Sequence, residues 1–537
     1  MASDTPGQRL VTWRGNWQAT RDGFDWDIPA RFNIARACCD GWAAIDPDRV
    51  ALIDAGAGDR DWTYGALKDA SDRLATVFAR AGVGRGDRVA VLLPQGPAVL
   101  IAHFAALKLG AIVLPLFSLF GADALRFRLA DSGAVLAVTD TDGAEKLSAL
   151  RADLPDLRGV QSIDGDFWAQ IAAAPPLEQP VDTAADDPAV MIYTSGTTGN
   201  PKGALHAHRF LLGHLPSIEL HHRHFPQRGD RGWTPADWAW IGGLMDLAMP
   251  CLYYGVPLVA QRMRKFDPAA AWDLIARLKI RNLFLPPTAL KLMRQVPVPA
   301  GVDIRSLSSG GEALGADLLQ WGRETLGVEI SEIYGQTECN IFICSVPGLM
   351  DAEPGFMGLP IPGADVTLMG GNDTPVATGA VGEVCVRAGH PVMFLRYWNQ
   401  PDKTAEKMRG GWLRTGDLAV QDAAGRYRFV ARDDDIITSA GYRIGPTEIE
   451  DCLTADPDVV MAAVVGAPDP VRTEIVVAHL VLRDGVPLDD ALTERLRARV
   501  SERVSPHVAP RRFHAHDSLP LTATGKILRR ALRDTPT

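Results

Sequence analysis

The run YTSGTTGNPKG, from Tyr193 to Gly203, gathers groups suited to holding phosphate. Gly196, Gly199 and Gly203 let backbone N–H groups converge on an anion, Thr194, Ser195, Thr197 and Thr198 offer hydroxyls, and Lys202 adds charge. No Gly-Lys-Ser/Thr closes the run, so it is not the P-loop of the NTPases. A plain surface turn would need far less specialised residues. Further on, Asp417 stands as a lone acid after Thr-Gly, and Lys526 follows Gly525 in TATGKILRR. A lysine in a basic tail is usually a solvated charge, yet the glycine beside it suits a tight loop rather than a helix.

Six stretches occur in a telling order: the phosphate run, SGGEAL (309–314), EIYGQTE (332–338), TGD (415–417), RDDDIITSAGYRIGPTEIE (432–450) and LTATGKILRR (521–530). Over about the last 340 residues the chain therefore resembles the adenylate-forming superfamily, and within it the short- and medium-chain acyl-CoA synthetases. The resemblance implies a carboxylate that attacks the α-phosphorus of ATP, pyrophosphate that leaves, and an acyl group passed to coenzyme A, with Mg²⁺ required. Positioning and electrostatic preorganisation should dominate such chemistry.

By that resemblance Thr194 to Lys202 close over the β- and γ-phosphates, with Thr197 and Glu338 at the metal. Gly311, Glu312, Glu332, Ile333 and Tyr334 frame the adenine, with Gly335 and Gln336 beside them. Thr337 contacts the α-phosphate and the acyl carboxylate, and Asp417 accepts the ribose hydroxyls. Lys526 is the expected catalytic lysine, bridging carboxylate and phosphate oxygens. Arg432 and Arg443 reach the nucleotide, Asp434 is the hinge, and Gly441 and Tyr442 meet the pantetheine arm of CoA. Ala431 and Ala440 depart from the residues usual at those places, though neither removes a functional group. Acetylating Lys526 removes its charge, so regulation by a lysine acetyltransferase and deacetylase follows as an expectation.

CoA as acceptor rests on Arg472 in PDPVRTE and Arg511 in HVAPRRF, which resemble CoA-contacting positions. The alternative is a ligase that loads a carrier protein or another acceptor. No carrier segment follows residue 537, so a self-loading module is not expected. Trp238 and Trp240 in WTPADWAWIGGLMD, with CNIFIC after Glu338, are expected to line the acyl pocket. These stretches carry no basic side chain, which favours a neutral acyl tail. Acetyl-CoA synthetases place a tryptophan where this chain has Gly335, which predicts an open pocket and an acid longer than acetate: short-to-medium-chain, branched or aryl. His221, His222 and His224 lack an acid or cysteine to complete a metal set and read as a polar loop or subunit contact.

Bulk properties narrow the remaining classes. With 47% hydrophobic and 22% charged residues the chain looks like an ordinary soluble protein, and its net charge of -10 argues against nucleic acid. No apolar run approaches the ~20 residues of a membrane span, and MASDTPGQRL is no secretory signal. The seven cysteines form no CxxC pair, consistent with reduced thiols in cytoplasm. Oligomers are compatible with all of this.

The motifs need elements to hold them. RVAVLLP (88–94), AIVLPLF (111–117) and AVLAVTD (134–140) read as buried strands, separated by helices at 99–109 and 123–131. The rhythm returns after 250 with helices at 268–278 and 288–295, and from 364 to 398 short alternating stretches such as EVCVRA suggest β structure. The predicted fold is α/β: a large N-terminal adenylate-forming domain (1–431) of stacked βαβ subdomains and a β-rich subdomain. A hinge (432–435) leads to a small mobile α+β lid (436–537).

Overall fold

The computed structural model describes residues 6–533 except 195–199, 264, 313, 351, 433–434, 440–441, 470–471 and 523–525; of Thr438, Tyr442 and Arg443 it describes the backbone alone. Ser195, Gly196, Thr197, Thr198, Gly199, Asp434 and Gly441 therefore lie outside the described residues, as do the side chains of Tyr442 and Arg443.

Among the described residues the strands form four sheets, of seven, nine, five and five strands. In the first, Arg88–Leu92, Ile112–Pro115, Leu136–Thr139 and Gly159–Ser162 run parallel, as the βαβ rhythm requires. Their short apolar runs are buried nearly throughout because helices cover both faces. The hairpin of Pro188–Thr194 with Lys202–Ala207 completes one side of this sheet. The second sheet has a parallel centre that includes Leu258–Ala260, Gly232–Trp233, Asn282–Phe284, Ser306–Gly310 and Ile330–Gln336. Its far edge comes from the N-terminal segment, with Val50–Asp54 beside Leu258–Ala260 and Arg60–Thr63 outside it. The first 80 residues, which carry no motif, thus build scaffold.

Helices Pro97–Lys108 and Phe210–His221 are apolar all round, and both are buried on every face. The second lies on the strands Ile330–Gln336 and Cys339–Ser345. One continuous core joins Val89, Val113 and Ile192 of the first sheet to Ile333, Ile341 and Ile343 of the second. His221 and His222 end the buried helix, which corrects their reading as a polar loop or subunit contact. His222 Nδ1 meets Ser306 Oγ at 2.8 Å, and burial lowers His221 to about pKa 3.

The third sheet is antiparallel and carries EVCVRA in Val381–Arg387, beside Trp412–Gln421 and Tyr427–Arg432. Arg432 ends it, and Ile437–Ser439 begins the fourth sheet, built on the long hairpin Val459–Asp469 and Thr473–Leu482. Helices Pro446–Thr454 and Asp490–Arg503 pack beside this hairpin around Leu453, Val464, Leu480 and Leu496. The architecture is α/β, a large N-terminal domain with a small C-terminal one. Among the described residues no helix is long and apolar enough to cross a membrane, and all seven cysteines are free.

Candidate active site

Ser306–Gly310 and Ile330–Gln336 are adjacent parallel strands, with Gly310 in register with Ile333. Their carboxyl ends therefore emerge side by side, which brings SGGEAL next to YGQTE. Open α/β sheets bind ligands at such ends. The Leu314 N–H donates to Glu332 Oε1 at 3.2 Å, tying the first loop to the second strand, and burial pushes the Glu332 carboxyl up to about 8.

After Gln336 the chain reverses into Cys339–Ser345, with a register shift between Tyr334 and Gln336. Gly335 sits at that shift. A Cβ there would stand 2.2 Å from the Ile341 backbone nitrogen and 2.9 Å from Asn340 Cα, and Ile341 itself has φ +41°. Gly335 borders the cavity, but the returning backbone is what excludes a side chain. This corrects the expectation that Gly335 marks a pocket left open by a missing tryptophan.

The third sheet delivers Asp417. Tyr334 O–H donates to its Oδ2 at 2.7 Å, and Arg432 Nε lies 3.9 Å from its Oδ1. Burial raises the Asp417 carboxyl, with the Arg432 charge working against that. Gln336 Nε2 donates to the Thr415 carbonyl at 3.1 Å, a second tie between the sheets.

Of the phosphate run the described ends belong to a hairpin, in which Thr194 stands opposite Lys202. Lys202 Nζ lies 4.8 Å above the Tyr397 ring, and the Tyr397 hydroxyl donates to Glu338 Oε1. Glu338 is buried, and its other oxygen has no hydrogen bond among the described residues. A buried carboxylate with an oxygen unfilled among the described residues suits Mg²⁺, which takes one or two carboxylates plus phosphate oxygens and water. Glu338 would hold the ion, whose chemistry is to neutralise phosphate charge. Tyr397, which no motif signalled, orients Glu338 and stacks under Lys202.

The C-terminal segment closes the site. The Ile527 N–H donates to Glu312 Oε1 at 3.0 Å, while Arg529 braces the same segment on Glu450 at 2.7 Å. Lys526 thereby enters beside Gly311, with Nζ 5.8 Å from the centre of the Trp240 ring. Desolvation lowers its pKa from the ordinary lysine value, opposed by Glu312, Asp417 and Asp246 and reinforced by Arg432. Lys526, Trp240, Gly311, Thr337, Asp246 and Asn340 all border one cavity of about 40 Å³. A larger surface hollow of about 910 Å³, beside Arg49, Arg231 and Arg281, includes none of the motif residues.

Not every expected residue joins this set. Trp238, 1% exposed, belongs to the core, whereas Trp240 two positions on borders the cavity. Arg472 and Arg511 lie just before strands of the fourth sheet, Thr473–Leu482 and Arg512–Ala515, their backbone N–H groups on Asp469 Oδ1 and the Val476 carbonyl. Among the described residues no hydrogen bond or ion pair links either side chain to the cavity. Asp246 and Asn340 also border it; they lie in the two stretches, WTPADWAWIGGLMD and CNIFIC, expected at the acyl pocket, though neither stands out within them.

Residues 39–398 match the AMP-binding enzyme family and residues 448–526 its AMP-binding enzyme C-terminal domain. Acetyl-coenzyme A synthetase of Bacillus subtilis is 31% identical, over 96% of this chain and 94% of its own. The mitochondrial acyl-coenzyme A synthetase ACSM2 of Rattus norvegicus is also 31% identical, over 94% and 92%. The crystal structure of the anthranilate CoA ligase AuaEII with anthranoyl-AMP superposes with TM-score 0.88 at 26% identity, covering 94% of this chain and 98% of that one. A benzoate CoA ligase from Burkholderia xenovorans gives TM-score 0.84 at 26% identity, covering 94% and 100%. Both halves of the chain are matched, and the described motif residues on strand ends and C-terminal segment meet at one cavity, so the chain belongs to the AMP-binding enzyme family, adenylate-forming and similar along its length to acyl-CoA synthetases.

Proposed function

We propose that this AMP-forming acid–CoA ligase acts on a compact carboxylic acid. The observation that carries the reading is Lys526 held in the same cavity as Thr337 and Trp240, whose lining residue Tyr334 donates to Asp417 and whose Thr337 precedes Glu338 in the chain. In the first half-reaction the acid's carboxylate forms a bond to the α-phosphorus and the bond to pyrophosphate breaks. Lys526 and Thr337 hold the oxygens on which negative charge gathers, and Asp417 with Tyr334 fixes the ribose. Lys202 takes the departing phosphates. In the second, the CoA thiolate attacks the acyl carbonyl and AMP leaves. That step needs the lid to turn about 432–435 so that Lys526 withdraws and Gly441, Arg472 and Arg511 serve CoA.

Compactness rests on the side of the cavity away from the nucleotide motifs, where Trp240, Ile241, Asp246, Asn340 and Ile341 close around little space. With Gly335 explained by its backbone, the argument for acids longer than acetate no longer stands on that residue. The similarity to acetyl-CoA, anthranilate and benzoate enzymes spans two carbons to one ring. Pyrophosphate release and thioester formation with free CoA, across straight-chain, branched and aryl acids, test the reading. Thioester formation only with a carrier protein would overturn it.

Gly335 supplies a sharper check. Gly335→Ala is expected to lower kcat/KM for acetate, butyrate, hexanoate and benzoate alike, by roughly ten-fold or more, because the backbone must shift at the site. Gly335→Trp should do at least as much. A Gly335→Trp enzyme that kept acetate while losing the longer acids would return the residue to a role in pocket volume.

A further inference from the structure

Asp246 is 4% exposed and Asn340 6% exposed, and both border the Lys526 cavity. Asp246 lies on the π-type turn Leu244–Ala248, a local geometry frequent at functional sites, and Asn340 lies in the strand that returns from Gly335. Asn340 Nδ2 donates to Asp246 Oδ1 at 2.5 Å and faces His214 Nε2 at 3.1 Å, while His214 Nδ1 meets the Phe210 carbonyl at 2.7 Å.

This chain settles each orientation. A carbonyl only accepts, so His214 carries its proton on Nδ1 and offers a lone pair at Nε2. Burial keeps that ring neutral, its pKa lowered to about 4. Both amide protons of Asn340 are then used, one on His214 and one on Asp246. Asn340 Oδ1 and the second Asp246 oxygen accept no hydrogen bond among the described residues. Lys526, although it shares the cavity, makes no ion pair with Asp246. Two polar oxygens thus face a small cavity without a protein donor, and a ligand that covers them without a hydrogen bond incurs the cost of leaving them unpaired. A hydrocarbon acyl group leaves them unpaired.

We propose that the substrate acid carries a hydrogen-bond-donating group, a hydroxyl or an amine, which Asp246 and Asn340 accept inside the acyl cavity. The inference rests on the acid–CoA ligase reading and narrows the class of acid. His214 is a positioning residue: it holds Asn340 so that the amide oxygen, not the nitrogen, is left for the substrate. Burial raises the Asp246 carboxyl well above its usual range. In the neutral acid Oδ1 is the carbonyl oxygen that takes the Asn340 proton, so Oδ2 carries the O–H and donates to the substrate's polar group while Asn340 Oδ1 accepts from it; in the ionised form, which an ammonium group would favour, both oxygens accept.

The test compares acids matched in shape that differ by a hydroxyl or amine against a methyl: β-hydroxybutyrate with isovalerate, and hydroxy- and aminobenzoates with the corresponding methylbenzoates. Binding of their acyl-sulfamoyl-adenosines is measured by calorimetry, and thioester formation by CoA consumption. The donor-bearing member of at least one pair is expected to bind and react ~10²-fold better or more, the scale seen when a site built for a polar group meets an analogue lacking it. Asp246→Leu should reverse that order, and Asp246→Asn should weaken binding of the amine-bearing ligand most. Equal binding within every pair overturns the proposal, since water alone would then satisfy the two oxygens. An Asp246→Leu enzyme that loses every acid by one factor also overturns it, placing Asp246 in service of Lys526. Should Asp246→Leu fail to fold, the binding ratios of the unaltered protein decide. A binding preference without thioester formation supports the proposal and counts against the ligase reading alone.

Discussion

Replacing Lys526 with alanine is expected to cut acyl-adenylate formation by ~10²–10³ or more, the scale of losing one preorganised donor to a developing charge. Conversion of supplied acyl-adenylate and CoA to thioester should survive, because that step expels no pyrophosphate. The placement of the lysine explains the asymmetry. Its ammonium lies over Trp240 and beside Gly311, held by the Ile527–Glu312 hydrogen bond, and neither the ring nor the glycine can replace its charge. The pH dependence carries the same signature. Desolvation lowers the Lys526 pKa, so its charge is present below the shifted value and lost as pH rises through it. Adenylation should therefore fall on the alkaline side before an ordinary lysine would titrate, near ~10.4. In Lys526→Ala that limb should vanish from the residual rate. Pyrophosphate exchange over a pH series measures the first half, and thioester yield from synthetic acyl-adenylate the second. Equal loss of both halves would remove Lys526 from its catalytic role.

How much of this was legible beforehand depends on what kind of fact each residue carries. The βαβ rhythm was readable because strands such as Arg88–Leu92 are buried on both faces and so appear as unbroken apolar runs. SGGEAL and YGQTE could be paired because each ends a strand of the parallel sheet, where loops gather. Gly335 was misread for the opposite reason. Its requirement comes from the Asn340–Ile341 backbone returning past it, and no sequence pattern shows how closely a chain doubles back. The pair Trp238 and Trp240 shows the same limit, since a turn, closed by the Trp240 N–H on the Asp237 carbonyl, separates core from cavity. The stretches holding Asp246 and Asn340 were legible as pocket lining, but their pairing was not, because the two lie 94 positions apart. Tyr397 likewise acts through Glu338, 59 positions away. The first 80 residues gave no motif because their task is packing and sheet edging, which many sequences can perform.

The N-terminal scaffold also contains the largest stability effect expected here. Lys108 is fully buried at the end of its helix, with Nζ 2.6 Å from Asp72 Oδ1, 2.8 Å from Ser71 Oγ and 2.7 Å from Asp40 Oδ1, the last contact close but poorly aligned as a hydrogen bond. One ammonium thus joins three separate parts of the chain: the segment ending at Asp40, the helix Tyr64–Arg80 and the helix Pro97–Lys108. Lys108→Met keeps the apolar stem but leaves two acids with too little positive charge; Lys68 still reaches Asp72, and Asp40 keeps nothing equivalent. Breaking a buried pair in this way costs about 3–5 kcal/mol, so the denaturation midpoint should fall sharply near neutral pH. Burial already raises the Asp40 carboxyl, opposed chiefly by Lys108, and removing that opposition raises it further. A carboxyl with a raised folded pKa binds more protons folded than unfolded, so the variant should regain stability as pH falls. The gap from the parent is therefore largest at neutral pH and narrows toward pH ~5. Adding Asp40→Leu and Asp72→Leu should restore most of the loss, because the cost lies in the unpaired charges rather than in missing attraction. Urea titrations of the parent, single and triple variants at two pH values separate these contributions. A single variant as stable as the parent, or a triple variant worse than the single, would show that the ammonium is not what secures this corner of the fold.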